Sequence, residues 1–163
     1  MKKYAIIVAG GIGTRMKSDV PKQFLLLDGI PIIVHSIRKF LTYDENISII
    51  LVLPEAHIQE WEQLHSDFFQ ERKFIVTKGG DTRTASVQAG LSFVDEGLVA
   101  VHDAVRPFVS IETISRSFEA AEEDGSGVAV VALKDSIREI NTNSKSQARD
   151  RSNYVLVQTP QTF

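Results

Sequence analysis

Cysteine is absent from the 163 residues. That removes disulfides, thiolate metal sites and cysteine nucleophiles together, and it fits a reducing compartment. A basic excess is absent too. Lys and Arg number 18 against 21 Asp and Glu, a formal net charge of -3, whereas a dominant nucleic-acid surface carries a surplus of positive charge. Local cations remain available for a small polyphosphate. The apolar run at 4–8, behind Met1-Lys2-Lys3, is too short for a signal-peptide core and far too short for a membrane span. The cytoplasm is therefore the expected compartment. There is no internal repeat, low-complexity tract or clear linker. Nor is there a Ser-His-Asp set, an HExxH segment or a carboxylate pair recognisable by spacing. What remains is an ordinary globular composition, 43% hydrophobic and 24% charged, with enough length for one domain and a sizeable core.

Short apolar runs alternate with amphipathic stretches. Strands are expected at 4–8, 47–53, 73–77, 98–102 and 128–133, the first of them buried on both faces because it lacks polar alternation. Helices are expected at 32–40 behind Pro31, at 55–69 behind Pro54, and at 83–92 with Asp81 or Thr82 as cap. Another opens at Ser110, with Thr113 on its first turn, and closes near Gly125. Segment 135–154 breaks the pattern. A strand at 136–140 and a polar turn at 141–145 suggest a protruding two-stranded arm. Strand character resumes at 154–158 and is expected to end at Thr159-Pro160-Gln161. The fold class is α/β, a Rossmann-like three-layer domain over 1–163 with a mostly parallel sheet and a β-arm at 135–154. Ligands in such sheets sit beyond the carboxyl ends of the strands.

Four clusters follow strand ends. The first is Ala9-Gly10-Gly11-Ile12-Gly13-Thr14-Arg15-Met16, with Pro21-Lys22-Gln23 shortly after. It is not a P-loop, which ends in Gly-Lys-Ser/Thr, and Met16 stands where a dinucleotide fingerprint needs a small residue. A glycine nest with Arg15 and Lys22 nearby suits a triphosphate; a tight turn with two solvated cations is the plainer alternative. The second cluster, Gly79-Gly80-Asp81-Thr82-Arg83 with Ser86, can meet a base or ribose, or can be a glycine turn with a helix cap. In the third, Asp103 is well placed to hold Mg2+ and Arg106 to bind a phosphate, unless the two form a loop salt bridge. In the fourth, Arg151 and Thr159 can meet phosphate, or serve as a surface arginine and a strand-ending turn. The four histidines, His35, His57, His65 and His102, have no shared metal spacing. The chemistry these clusters suit is electrostatic, the gathering and neutralising of phosphates.

Taken together, Ala9-Gly10-Gly11-x-Gly13-Thr14-Arg15-Met16, Pro21-Lys22-Gln23, Gly79-Gly80-Asp81-Thr82-Arg83-x-x-Ser86-Val87, His102-Asp103-Ala104-Val105-Arg106-Pro107-Phe108 and Gln158-Thr159-Pro160-Gln161 closely resemble the 2-C-methyl-D-erythritol 4-phosphate cytidylyltransferases of non-mevalonate isoprenoid synthesis. The resemblance implies a nucleotidyltransferase that joins CMP, from CTP, to the sugar-alcohol phosphate and releases pyrophosphate. It implies that Ala9, Gly10, Gly11, Gly13, Gly80, Asp81 and Ser86 surround cytidine, and that Arg15 and Lys22 act on the phosphates. It assigns Asp103 to Mg2+, and Arg106, Arg151 and Thr159 to the methylerythritol phosphate. It further implies a homodimer that exchanges the arm, with Ser136 standing where the family places a Thr in the partner's site. Members of the family continue beyond the position of Phe163 with an acidic, lysine-bearing segment and a last helix, so the expectation is that either 1–163 is a fragment of a longer product or its active site is incomplete. A ribitol 5-phosphate cytidylyltransferase would share the CTP site, but Arg83-Thr84-Ala85-Ser86-Val87 is more similar to the methylerythritol family. A non-catalytic CTP-binding remnant and a nicotinamide-dependent oxidoreductase are the readings from other classes; only the glycine loop favours the latter.

Overall fold

The apolar run that opens the chain lies mid-sheet, because both of its faces need cover. The computed structural model describes residues 1–10, 20–70, 72–141, 143 and 145–163. In chain order, the described strands are β1 (Lys3–Val8), β2 (Leu26–Leu27), β3 (Ile30–Pro31), β4 (Ser48–Leu53), β5 (Ile75–Lys78), β6 (Leu98–Asp103), β7 (Gly127–Ala132), β8 (Ile137–Ile140), β9 (Ser146–Arg149) and β10 (Val155–Thr162). The helices are α1 (Ile32–Tyr43), α2 (Ile58–Phe69), α3 (Arg83–Leu91) and α4 (Ile111–Asp124). The main sheet has the order β5-β4-β1-β6-β10-β7. Its first four strands are parallel, and β10 runs antiparallel between β6 and β7.

Three layers result. Ala5, Ile7, Leu51 and Ala100 face one side with Ile37 and Phe40 of α1, Trp61 of α2 and Ile114 and Phe118 of α4. Tyr4, Ile6, Val8, Ile50, Val52 and Val101 face the other, against Val87 of α3. Gly90 lets α3 lie close to the sheet: a Cβ there would stand 2.8 Å from Ile6 Cγ2 and 3.2 Å from Val52 Cγ2. The helix caps follow the expected chemistry. Of the two residues expected to cap α3, Thr82 does so, its hydroxyl accepting from the Ala85 amide at 3.0 Å. Ser110 caps α4 by accepting from the Thr113 amide at 3.0 Å, and Gly125 ends that helix in the left-handed region.

Several expectations need correction. The last strand does not stop at Thr159-Pro160-Gln161; β10 continues to Thr162 with a register shift between Val157 and Gln161. A shift of this kind lets the strand pass Pro160, which has no N–H to donate. The third strand begins two residues later than expected, and 55–57 form a 3-10 turn ahead of α2. A short hairpin, β2 with β3, had no counterpart in the sequence reading; Asp28 and Gly29 both have positive φ at its turn. The arm is as expected: β8 pairs antiparallel with β9, and Arg149 bonds Glu139 across it. Among the described residues no helix is long and apolar enough to cross a membrane.

Candidate active site

Parallel register aligns the strand ends. Val8 lies opposite both Val52 and Asp103, and Leu53 opposite Lys78. The segments leaving β1, β5 and β6 therefore start from one edge of the sheet, where such folds bind ligands. Their first steps are pinned: the Ala9 amide donates to Val52 O, Gly79 to Leu53 O and Ala104 to Val8 O, at 2.8 to 3.0 Å.

Ser86 joins the first two segments. It is 2% exposed, and its hydroxyl lies 3.2 Å from both Gly80 N, from which it accepts, and Gly80 O, to which it donates. A Cβ on Gly79 would approach Ser86 Oγ to 2.8 Å, and one on Gly10 to 3.3 Å. The glycines thus let two backbone segments close around one hydroxyl. Asp81 is exposed at the same turn.

Asp103 ends β6 with a side chain only 25% exposed. One carboxylate oxygen accepts from Arg83 Nη2 at 3.1 Å and Nε at 3.3 Å; the other accepts from Arg106 Nε at 2.9 Å. Both arginines are nearly half exposed. The loop salt bridge weighed from the sequence is thus present, with Arg83 as a third member that the sequence reading left without a role. Arg106 also donates from Nη1 to Gln158 Oε1. The Asp103 amide lies 3.4 Å from the Thr159 hydroxyl, which is 8% exposed in β10. A cleft of about 620 Å³ opens beside Arg106, Gln158 and Thr159, with Leu27, Ile32 and Val105 among its walls.

His102 is fully buried, its ring edge-on to Phe40 at 5.1 Å. Its Nε2 lies 3.0 Å from Arg106 O and its Nδ1 has no partner. Burial pushes the ring down to about 4, with the bond to Arg106 O and the Asp103 charge opposing, so it is neutral at neutral pH. His35, His57 and His65 each have partners elsewhere, as expected for structural or solvated residues.

Not every expected residue joins this constellation. Lys22 is half-buried in the 3-10 turn Lys22–Phe24, with no ion pair among the described residues. Arg151 stands at the base of the arm, where Nη1 donates to Lys134 O. Ser136 is exposed just before β8. No hydrogen bond links Ser136 or Arg151 to Asp103, Arg106 or Thr159 among the described residues. Gly11, Gly13 and Arg15 lie outside the described residues.

Residues 4–163 match the family profile of 2-C-methyl-D-erythritol 4-phosphate cytidylyltransferase. The chain belongs to that family. It is 45% identical to the 2-C-methyl-D-erythritol 4-phosphate cytidylyltransferase of Bacteroides thetaiotaomicron, over all of this chain and 74% of the relative. It is 47% identical to that of Porphyromonas gingivalis, over 99% of this chain and 72% of the relative. The crystal structure of the Francisella tularensis enzyme of the same name superposes with a TM-score of 0.76 at 32% identity, covering 99% of this chain and 72% of that one. A fold match is also found in 4-diphosphocytidyl-2C-methyl-D-erythritol synthase from Anaerococcus prevotii, with a TM-score of 0.84, 23% identity and coverage of 99% and 70%. The mostly parallel three-layer α/β sheet expected from the sequence is the fold of this family.

Proposed function

We infer that the protein transfers CMP from CTP to 2-C-methyl-D-erythritol 4-phosphate and releases pyrophosphate. The observation that carries this reading is the carboxylate of Asp103 held between Arg83 and Arg106 beside Thr159, at the strand edge where Ser86 gathers Gly10, Gly79 and Gly80. Membership of the family names the base and the acceptor and favours methylerythritol over ribitol phosphate. In this reading the backbone around Ala9, Gly10, Gly80 and Asp81, with Ser86, receives cytidine, and Gly11 and Gly13 are assigned to the same nucleotide. Arg106, Thr159 and Arg151 take the acceptor phosphate, with Ser136 supplied from a second copy.

The reaction forms one bond and breaks another. An acceptor phosphate oxygen attacks the α-phosphorus of CTP, and the bond from that phosphorus to the bridging oxygen breaks as pyrophosphate leaves. The attacking oxygen is already anionic, so no strong general base is needed. Arg15 and Lys22 are assigned to the charge that builds on the transferring and leaving phosphates. Mg2+ keeps several waters and takes one or two carboxylates with phosphate oxygens. Asp103 would supply one carboxylate, whose two oxygens now accept from Arg83 and Arg106, and the described residues hold no group of three His, Asp or Glu placed to hold a metal ion. That donor set fits an ion that arrives on the triphosphate, where it would neutralise phosphate charge.

A homodimer is part of the reading. Val130, Val131, Leu156 and Val157, on the paired strands β7 and β10, are about half exposed, and Ile140 on the arm is 73% exposed. Apolar surface of this kind favours cover by another chain. The function is tested by pyrophosphate release with Mg2+, offering CTP and the other triphosphates against methylerythritol 4-phosphate and ribitol 5-phosphate. Release confined to CTP with the methylerythritol ester supports it; a preference for ribitol phosphate or for another triphosphate overturns it.

A further inference from the structure

We propose that His102 is a positioning residue for the acceptor phosphate, acting through the backbone of Arg106. The proposal rests on the assignment of Arg106 to that phosphate. Ile7 pairs with His102 across the sheet, which sends the imidazole to the same buried face as Ile7. There it is closed off from solvent and stands edge-on to Phe40, itself fully buried. A carbonyl can only accept, so the contact of 3.0 Å to Arg106 O places the proton on Nε2. Nδ1 is then a buried acceptor without a partner. An apolar side chain would avoid that cost, so packing alone does not account for histidine here.

What the imidazole achieves is closure of the loop after β6. The Arg106 amide donates to Asp103 O at 3.1 Å, and Pro107 follows with a fixed φ and no N–H. Ser36 of α1 donates to Ala104 O at 2.6 Å. With His102 on the Arg106 carbonyl, both ends of the Arg106 peptide frame are tied to the sheet strand itself. The guanidinium then reaches Asp103 and Gln158 together. Without the imidazole, the carbonyl loses its buried donor, and the arginine's carrier turn is free to rotate away from Gln158 and Thr159.

His102→Leu keeps an apolar filling and removes the donor; His102→Gln keeps a donor N–H of similar reach. In the leucine variant KM for methylerythritol 4-phosphate is expected to rise on the order of tenfold, with KM for CTP within about twofold, because misplacement of one orienting group is felt mainly by what it orients. The glutamine variant should recover most of that loss. In an Arg106→Ala background the leucine substitution should add little, since the effect travels through Arg106. Equal effects on both KM values, or full additivity with Arg106→Ala, would overturn the proposal. Crystal structures of the two variants read the same point without any substrate: Arg106 should leave Gln158 in the leucine variant and stay in the glutamine variant. An unmoved Arg106 in the leucine variant sinks the idea, whereas an inactive wild type with an Arg106 that moves as expected counts against the functional reading alone.

Discussion

Arg83 and Asp103 stand twenty positions apart and meet at 3.1 Å, tying the first turn of α3 to the end of β6. Arg106 takes the other carboxylate oxygen. One anion thus organises two cations from two loops. Asp103→Asn is expected to raise the Mg2+ midpoint for pyrophosphate release about tenfold. Thermal stability should change little, since pairs this exposed contribute about 1 kcal/mol or less. A metal titration checks it, and an unchanged midpoint removes Asp103 from the metal.

Lys22 makes no ion pair among the described residues and so keeps its charge available. Lys22→Ala should lower kcat by about a hundredfold or more, the scale of losing one group that stabilises developing charge. KM for the sugar-alcohol phosphate should stay within about twofold. Steady-state kinetics with each substrate varied will tell; an unaltered kcat would take Lys22 out of the transition state.

A methyl group at Gly90 would crowd Ile6 and Val52. Gly90→Ala is expected to destabilise the fold by about 1 to 3 kcal/mol, the cost of overpacking a closed layer. Urea unfolding of the variant beside the wild type measures this. A gain in stability would mean that α3 can lift from the sheet freely.

Burial lowers His102 to about 4, against 6.5 for a free imidazole. Between those values the unfolded chain binds the extra proton and the folded chain does not. Stability from this residue is therefore complete above about pH 6.5 and falls as pH drops toward 4, by about 3 kcal/mol at most. His102→Gln should flatten the pH dependence over that window. Urea midpoints at pH 5 and pH 7 test it, and an equal drop in both proteins assigns the acid sensitivity elsewhere.

The arm offers a separate test of assembly. Replacing 137–149 with a short Gly-Ser turn should convert the proposed homodimer to monomer in light scattering. A dimer that persists would place the interface outside the arm.

Much of this fold could be read directly from the chain. The runs that became β1, β4 and β6 are apolar on both faces, which only a central strand tolerates, and Thr82 and Ser110 are cap residues with the right spacing. Asp28-Gly29 is a strong turn signal, but the β2–β3 hairpin it closes has strands of two residues, too short to show a period in the sequence. Pro160 read as a stop because strands need donors; the register shift that accommodates it depends on β7 and β6 being in place. At the site, Gly79, Gly80, Asp103, Arg106 and Thr159 could be picked out from their own segments, whereas Arg151, grouped with Thr159 by sequence, stands at the base of the arm. The pairing of Arg83 with Asp103 could not be picked out, since it arises from the register of parallel strands. The contact of His102 with the Arg106 carbonyl was hidden for a different reason: burial and a single carbonyl contact leave no pattern in the sequence.

Among the described residues, β7 has β10 as its one neighbour in the sheet, and thirty residues separate Ala132 from Thr162. During biosynthesis β7 emerges before the strand that must slip between it and β6. At about 5 to 20 residues per second the wait lasts on the order of seconds. Through that interval the Val128, Val130 and Val131 side chains and an unpaired strand edge are open to neighbouring nascent chains, so slow translation across the arm would prolong the exposure of an aggregation-prone edge.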